Sequence, residues 1–275
     1  MTVLDDIIVG VREDLQARKE ITPLAEMVLR AEHALAPIDV MATFQQGLFG
    51  VIAEVKRSSP SKGALAPISD PAALARSYEA GGACAVSVLT EERRFKGSLA
   101  DLAAVRAAVK IPVLRKEFII DEYQIFEARA YGADIILLIV AALSDDQLIA
   151  FSKVTHQLGM RTLIEVHDAA EIERVMRLST DGTLAVDLLG INARNLKTLE
   201  IDHQAFATLA PLVPTQTPLI AESGISNADE VGALSGLGAD GILVGEALVK
   251  DGDPQGAIRS FLNRAEQGRF RRLHP

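Results

Sequence analysis

Eight short apolar runs recur from Val51 onward: VIAEVK, ACAVSVL, IPVLRK, ADIILLI, RTLIEV, VDLLGIN, TPLIAES and ADGILVG. Each ends in polar residues and is followed by a helix-like stretch. Their starts are separated by roughly 20 to 35 residues, the length of one strand and one crossover helix. Runs this apolar are typical of parallel strands buried on both faces, where no side of the sheet meets water. Eight such units predict an α/β fold of the (β/α)8 TIM barrel type.

A doubly wound open sheet is the alternative, and GLGADG at Gly236 to Gly241 supplies a G-x-G-x-x-G spelling. A dinucleotide fingerprint follows a strand and opens a helix, whereas these glycines end a helix and lead into the strand GILVG. Ahead of the first run, Leu4, Ile7, Ile8, Val11 and Leu15 share one helical face. After Pro23 the pattern resumes with Leu24, Met27, Val28 and Ala31. The expected organisation is a single domain: an N-terminal helical extension over 1–48, the barrel over 49–265 and a C-terminal tail over 266–275.

Composition fits such a domain. Of 275 residues, 49% are apolar and 24% charged, which suits a filled core and not a disordered chain. The net charge of −9 disfavours nucleic acid and anionic membranes as partners, while leaving room for a small basic pocket that takes an anionic metabolite. The single cysteine, Cys84, excludes an intramolecular disulfide or a multi-cysteine metal site, and its apolar surroundings predict a buried, inert thiol. Ile135 to Leu143, the most apolar run, is far shorter than the roughly 20 residues of a membrane helix, and reads as a buried strand with its exit loop. Acids and bases interrupt MTVLDDIIVGVREDL before a signal-peptide core can form, so a cytoplasmic chain is expected. Oligomeric state is not readable from the sequence, and a monomer is the default expectation.

In a barrel of this type the active site lies at the C-terminal ends of the strands. Alternation then selects which residues face it. Glu54 and Lys56 share a face of the first strand, Leu114, Lys116 and Phe118 one of the third, and Leu163, Glu165 and His167 one of the fifth. Arg115, Glu117 and Val166 point the other way. Lys56, Lys116, Glu165, Asn192 and Glu222 can therefore face a common mouth. Taken singly, each Lys or Glu reads more readily as a rim ion pair. Burying ionised groups on several strands is costly unless they are paired, which favours function over stability for the set.

The last two strands end in AESGI and LVGEAL, where small residues let backbone N–H groups approach an anion. Ser223, Gly224, Gly245 and Glu246 are the candidate phosphate contacts, Glu246 through its backbone. The alternative is that these glycines only make tight turns. EVKRSSPSKG joins two inward charges to a loop rich in hydroxyls, bases and turn residues. It reads as a substrate-gripping loop in which Ser59 is a candidate contact, and Lys56, on the strand, is more rigidly aimed than Arg57 or Lys62.

VIAEVKRSSPSKG resembles the signature of the indole-3-glycerol phosphate synthases. The likeness continues through SVLTEERRFKGS, PVLRKEFIIDEYQIFEARAYGADIILLIVAAL, LIEVHD, GINARNLKTLEID, AESGI and LVGEAL, and spans nearly the whole chain. The resemblance implies a substrate, 1-(2-carboxyphenylamino)-1-deoxyribulose 5-phosphate, that cyclises, loses carbon dioxide and then loses water, without a metal or organic cofactor. It implies that Lys116 is the general acid and that Glu165 assists the later proton removal and loss of hydroxide. Lys56 is implied near the substrate carboxylate or phosphate, with Glu54 orienting the lysines. Asn192, Arg194 and Glu222 are implied to position the reacting segment, and Phe95 and Phe118 to contact the anthranilate ring. Two departures stand out: STDGTLAVD, before the sixth strand, is longer than usual, but it enters from the N-terminal end, where it bears on stability more than catalysis, and Arg94 of EERRFKGS occupies a loop position where family members vary and is assigned no role.

Two rivals remain at this point. Phosphoribosylanthranilate isomerase chemistry looks for a cysteine near the end of the first strand, where Glu54 and Lys56 stand, and Cys84 lies too early in the second. A barrel that only binds phosphorylated ligands needs the phosphate loops but not an aligned acid and base.

Overall fold

In the computed structural model, which describes residues 2–61, 63–64 and 68–273, eight parallel strands close into a barrel. Lys62 lies outside the described residues. The strands are β1 (Gly50–Val55), β2 (Ala85–Leu89), β3 (Val113–Lys116), β4 (Ile135–Ile139), β5 (Arg161–Val166), β6 (Leu188–Asn192), β7 (Leu219–Glu222) and β8 (Gly241–Val244). Seven fall within the apolar runs, and β1 starts one residue ahead of its run, at Gly50. Neighbours in the chain are neighbours in the sheet, and β8 closes on β1 with Gly241 opposite Gly50 and Val244 opposite Ala53.

The pleat divides the apolar side chains between two cores. Val51, Ala53, Val86, Val113, Ile136, Ile164, Leu189 and Ile242 point outward into the layer shared with the surrounding helices. Ile52, Ala85, Leu114, Leu137, Leu163, Leu188, Ile220 and Leu243 point inward and fill the barrel. Fully burying one such side chain contributes about 1.5–3 kcal/mol, so a one-residue slip of any strand would forfeit several of these terms at once.

Both ends of the barrel are covered by the N-terminal extension. Helix α1 (Val3–Ile21) starts at a capping box, in which the Asp5 amide donates to the Thr2 hydroxyl and the Thr2 amide to the Asp5 carboxylate. Its buried residues Leu4, Ile7 and Val11 join the inner core at the C-terminal mouth, with Ile8 half-buried beside them. Arg93 pairs with Glu13 and Asp14, and Arg18 with Glu127, which tie α1 down on both sides. In α2 (Leu24–Glu32), Met27 and Ala31 are buried, whereas Leu24, placed on the same face by the sequence, is 48% exposed because it opens the helix. At the opposite end Phe44, from the helix Met41–Gln45, plugs the barrel. A Cβ on Gly50 would lie 2.8 Å from its ring, which explains the glycine there.

The segment ahead of β6 enters at this closed end. Asp187 accepts from the Thr162 amide at 2.9 Å and lies 2.7 Å from His156 Nε2, so the inserted stretch is anchored far from the mouth. Cys84 is also at this end, its thiol donating to the Val51 carbonyl, and burial pushes its pKa up to about 12. The last helix runs from Pro254 through Leu273, continuing across the boundary at 265/266. Among the described residues no helix is long and apolar enough to cross a membrane.

Candidate active site

The strand ends deliver their inward side chains to one cavity of about 500 Å³ at the C-terminal mouth. Glu54 and Lys56 come from β1 and the turn after it, Lys116 from β3, Glu165 from β5, Asn192 from β6 and Glu222 from β7. Ser59, Phe95, Phe118, Arg194, Ser223, Gly224, Gly245 and Glu246 line the same cavity. The fourteen candidate catalytic, substrate and phosphate residues therefore line one cavity, while His167, on the same strand face as Glu165, is not among its lining residues. The Arg115 and Glu117 side chains turn away as their parity requires, although Glu117 still borders the cavity. The Arg115 guanidinium is buried against Glu127 at 2.9 Å, and Glu117 accepts from the Thr90 hydroxyl at 2.7 Å.

At the centre, Lys116 Nζ donates to Glu165 at 2.7 Å and to Glu222 at 3.2 Å. Both carboxylates are almost wholly buried, and Lys56 forms an ion pair with Glu54 beside them. Burial alone would pull the Lys116 ammonium down, but Glu165, Glu222 and Glu54 together outweigh it and raise its pKa. Burial raises each carboxyl group; for Glu165, the Lys116 ammonium and His167 overcome that and hold it well below the usual range. Glu222 is pushed up to about 8, because burial and the neighbouring Glu165 charge outweigh Lys116. The surroundings thus favour the charged form of Lys116 and the ionised form of Glu165, and of the two carboxyl groups Glu222 is the one that holds a proton more readily. A protonated lysine can give a proton to a developing oxyanion, and an ionised carboxylate can take one from carbon.

A missing side chain makes room for this trio. A Cβ on Gly190 of β6 would stand 2.0 Å from Glu222 Oε1, inside the space the carboxylate occupies. Nothing local marks this glycine as shaping the site, since in the run VDLLGIN it reads as one more small strand residue.

The walls are of two kinds. Phe95 and Phe118 form an aromatic side, their rings tilted at 41° with centroids 6.2 Å apart. Leu137 and Ile139 of β4 and Leu4 and Ile7 of α1 extend the apolar surface. Strand parity could have found the first pair. The second depends on where α1 docks, which no local pattern reveals. The opposite side is loop backbone. After β7, Ser223 and Gly224 both take left-handed conformations, at φ 67° and 74°, and for a serine that conformation is strained. After β8, a Cβ on Gly245 would crowd the Glu54 carbonyl and Cβ at 3.1 Å, tighter than ordinary contact, so glycine eases the close approach of the two strand ends. Arg194 ties the rim together, donating to the Leu199 carbonyl at 2.9 Å and to Ser61 Oγ at 3.0 Å. Lys250, absent from the sequence-based candidates, also lines the cavity just beyond the short helix Glu246–Val249. Among the described residues no cluster of three or more His, Cys, Asp or Glu is arranged to hold a metal ion.

The family model for indole-3-glycerol phosphate synthase matches residues 4–261. The chain belongs to the indole-3-glycerol phosphate synthase family. Its relatives of that name include one from Mycolicibacterium gilvum (strain PYR-GCK), 56% identical over 95% of this chain and 94% of the relative. Another, from Nocardioides sp. (strain ATCC BAA-499 / JS614), is 56% identical over 94% of this chain and 97% of its own length. Among solved structures, 3-hexulose-6-phosphate synthase from Salmonella typhimurium aligns with a TM-score of 0.63 at 15% identity, covering 80% of this chain and 99% of that one. Thiamine phosphate pyrophosphorylase from Pyrococcus furiosus aligns at 0.58 and 16%, over 82% and 99%. These two similarities concern the barrel fold alone.

Proposed function

We propose that the chain converts 1-(2-carboxyphenylamino)-1-deoxyribulose 5-phosphate into indole-3-glycerol phosphate, with loss of carbon dioxide and water, as a cytoplasmic monomer in tryptophan biosynthesis. The observation that carries this reading is the buried contact of Lys116 with both Glu165 and Glu222, set between an aromatic wall and a glycine-containing anion end.

Each side of the cavity has a task in that reaction. Phe95 and Phe118 take the anthranilate ring. The backbone at Ser223, Gly224, Gly245 and Glu246 takes the phosphate, and Lys56, steadied by Glu54, holds the substrate carboxylate or phosphate nearby. The ring carbon bearing the carboxylate attacks the ketone carbon, and Lys116 protonates the ketone oxygen as it becomes a hydroxyl. Carbon dioxide then leaves with its bonding pair returned to the ring, which restores aromaticity. In the last step the hydroxyl departs as water after taking a second proton, and Glu165 removes a proton from the adjacent carbon. Two protons enter and one leaves, so each turnover takes up one proton. Asn192, Arg194 and Glu222 hold the sugar segment while this happens.

An isomerase acting on an anthranilate sugar phosphate is disfavoured because Cys84 sits at the closed end of the barrel, away from the cavity. The test is to mix the purified protein with the carboxyphenylamino-deoxyribulose phosphate and follow indole absorbance and fluorescence. The chain has no tryptophan, so product emission rises on a dark background. Folded protein that yields no indole product refutes the reading. Light scattering that reports a stable dimer refutes the monomer.

A further inference from the structure

His167 follows β5 with the same inward parity as Glu165 and is almost buried, its side chain 11% exposed. On one side its Nδ1 lies 3.1 Å from Glu171, whose carboxylate also accepts from the His167 amide at 2.7 Å. Glu171 stands in the first turn of the helix Ala169–Thr180, where Asp168 caps its amide, so this anchor is fixed by the helix start. On the other side His167 Nε2 lies 3.2 Å from Glu165 Oε1, close enough to pair with it although not aligned for a hydrogen bond. The second oxygen of Glu165 is the one that meets Lys116 at 2.7 Å. From the rim inward, Glu171, His167, Glu165, Lys116 and Glu222 form a row of contacts, with the Glu54–Lys56 pair facing Lys116 from β1.

We propose that His167 is a positioning residue for the reaction: clamped by Glu171, it holds one carboxylate oxygen of Glu165 and so commits the other to Lys116. The proposal rests on the roles given above to Lys116 and Glu165. The terminal torsion of a glutamate is broad, so a carboxylate with one partner can swing, whereas one gripped at both oxygens keeps its aim. The same contact supplies charge. Burial pulls the imidazole down, but Glu165 and Glu171 together push its pKa up to about 10, so at neutral pH it is a cation against Glu165. Without it, Glu165 keeps Lys116 as its one cationic contact, and its proton affinity rises.

The test compares His167→Ala, His167→Asn and Glu171→Gln with the parent chain, measuring kcat, KM, the pH dependence of kcat and the melting temperature. The proposal expects kcat to fall by about tenfold for the His167 variants with KM nearly unchanged, since misaiming a catalytic group costs turnover more than binding. It also expects the acid limb of kcat to move up by about one pH unit, the direction of a carboxylate that has lost a cation. Glu171→Gln lies between them and the parent. If His167→Ala does not fold, the Asn and Gln variants carry the same expectations. A folded variant set with unchanged kcat and an unchanged acid limb overturns the proposal, as does a rise in KM with kcat intact. Glu165→Gln run alongside separates the two layers: if it stays active, the role of Glu165 is wrong; if it is dead while the His167 variants match the parent, only the positioning role fails.

Discussion

Replacing Gly190 with alanine is the sharpest perturbation the site offers, because it adds one methyl group to the one place where Glu222 has no room to spare. The new Cβ would lie 2.0 Å from Glu222 Oε1, against 3.4 Å for ordinary contact, so the carboxylate must retreat by about 1.4 Å. Leu163 Cδ1, at 3.3 Å from the same point, limits any compensating shift of the strand. The Lys116–Glu222 contact, at 3.2 Å, then opens past hydrogen-bond distance and frees Lys116 to drift from its aim. Displacements of this size cost on the order of a hundredfold in rate, and overpacking a core costs about 1–3 kcal/mol. Gly190→Ala should therefore remain folded by circular dichroism, melt earlier than the parent and turn over about a hundredfold more slowly. In a Glu222→Ala background the obstructing oxygen is gone, so the same glycine substitution should add almost nothing, a coupling that a double-mutant cycle measures directly. Near-normal turnover in the single variant, or additive losses in the double, would refute the idea that Gly190 acts by making room for Glu222.

Other consequences concern charge and the rim. Glu222 titrates near 8 in the folded chain against 4.5 when unperturbed, so the folded state binds its proton more tightly and loses that advantage as pH rises between these values. The melting temperature of Glu222→Gln should accordingly gain on the parent from pH 5 to pH 8, and a constant difference across that range would contradict the burial of an acidic Glu222. Arg194→Met removes the hydrogen bond to Ser61 that joins the loops after β6 and β1, together with the one to Leu199 inside the β6 loop, so KM should rise by about tenfold, charged hydrogen bonds being worth roughly 1.5–3 kcal/mol. A loss confined to kcat would argue instead for a direct part in the chemistry. Gly245→Ala places a Cβ 3.1 Å from the Glu54 backbone, and saturation kinetics should show weakened substrate binding.

What could be read from the chain, and what could not, divides by the range of the forces involved. Strand parity is local, and it correctly sent the Lys116 and Glu165 side chains inward while the Arg115 guanidinium went out to Glu127 and the Glu117 carboxylate to Thr90. The eight repeats define a barrel because their spacing repeats the same local unit. Docking is not local: nothing in the α1 pattern says that Leu4 and Ile7 roof the cavity, or that Phe44 plugs the far end against Gly50. Gly190 is illegible for a different reason, since a residue that works by lacking a side chain leaves no chemical signature. His167 is visible as an inward residue on the same face as Glu165, with Glu171 four residues further on, but alternation alone gives no contact distances, so the row these three form is not legible from it.

The central claim is that Lys116 and Glu165 close and dehydrate the ring in this mouth, and parallel assays of the parent, Lys116→Met and Glu165→Gln test it most directly. With saturating carboxyphenylamino-deoxyribulose phosphate, the parent should give indole fluorescence in proportion to substrate consumed. Each folded variant should turn over at least about a hundredfold more slowly, the usual size of a general acid or base contribution. Indole formation at near-parent rates in either variant would contradict the account.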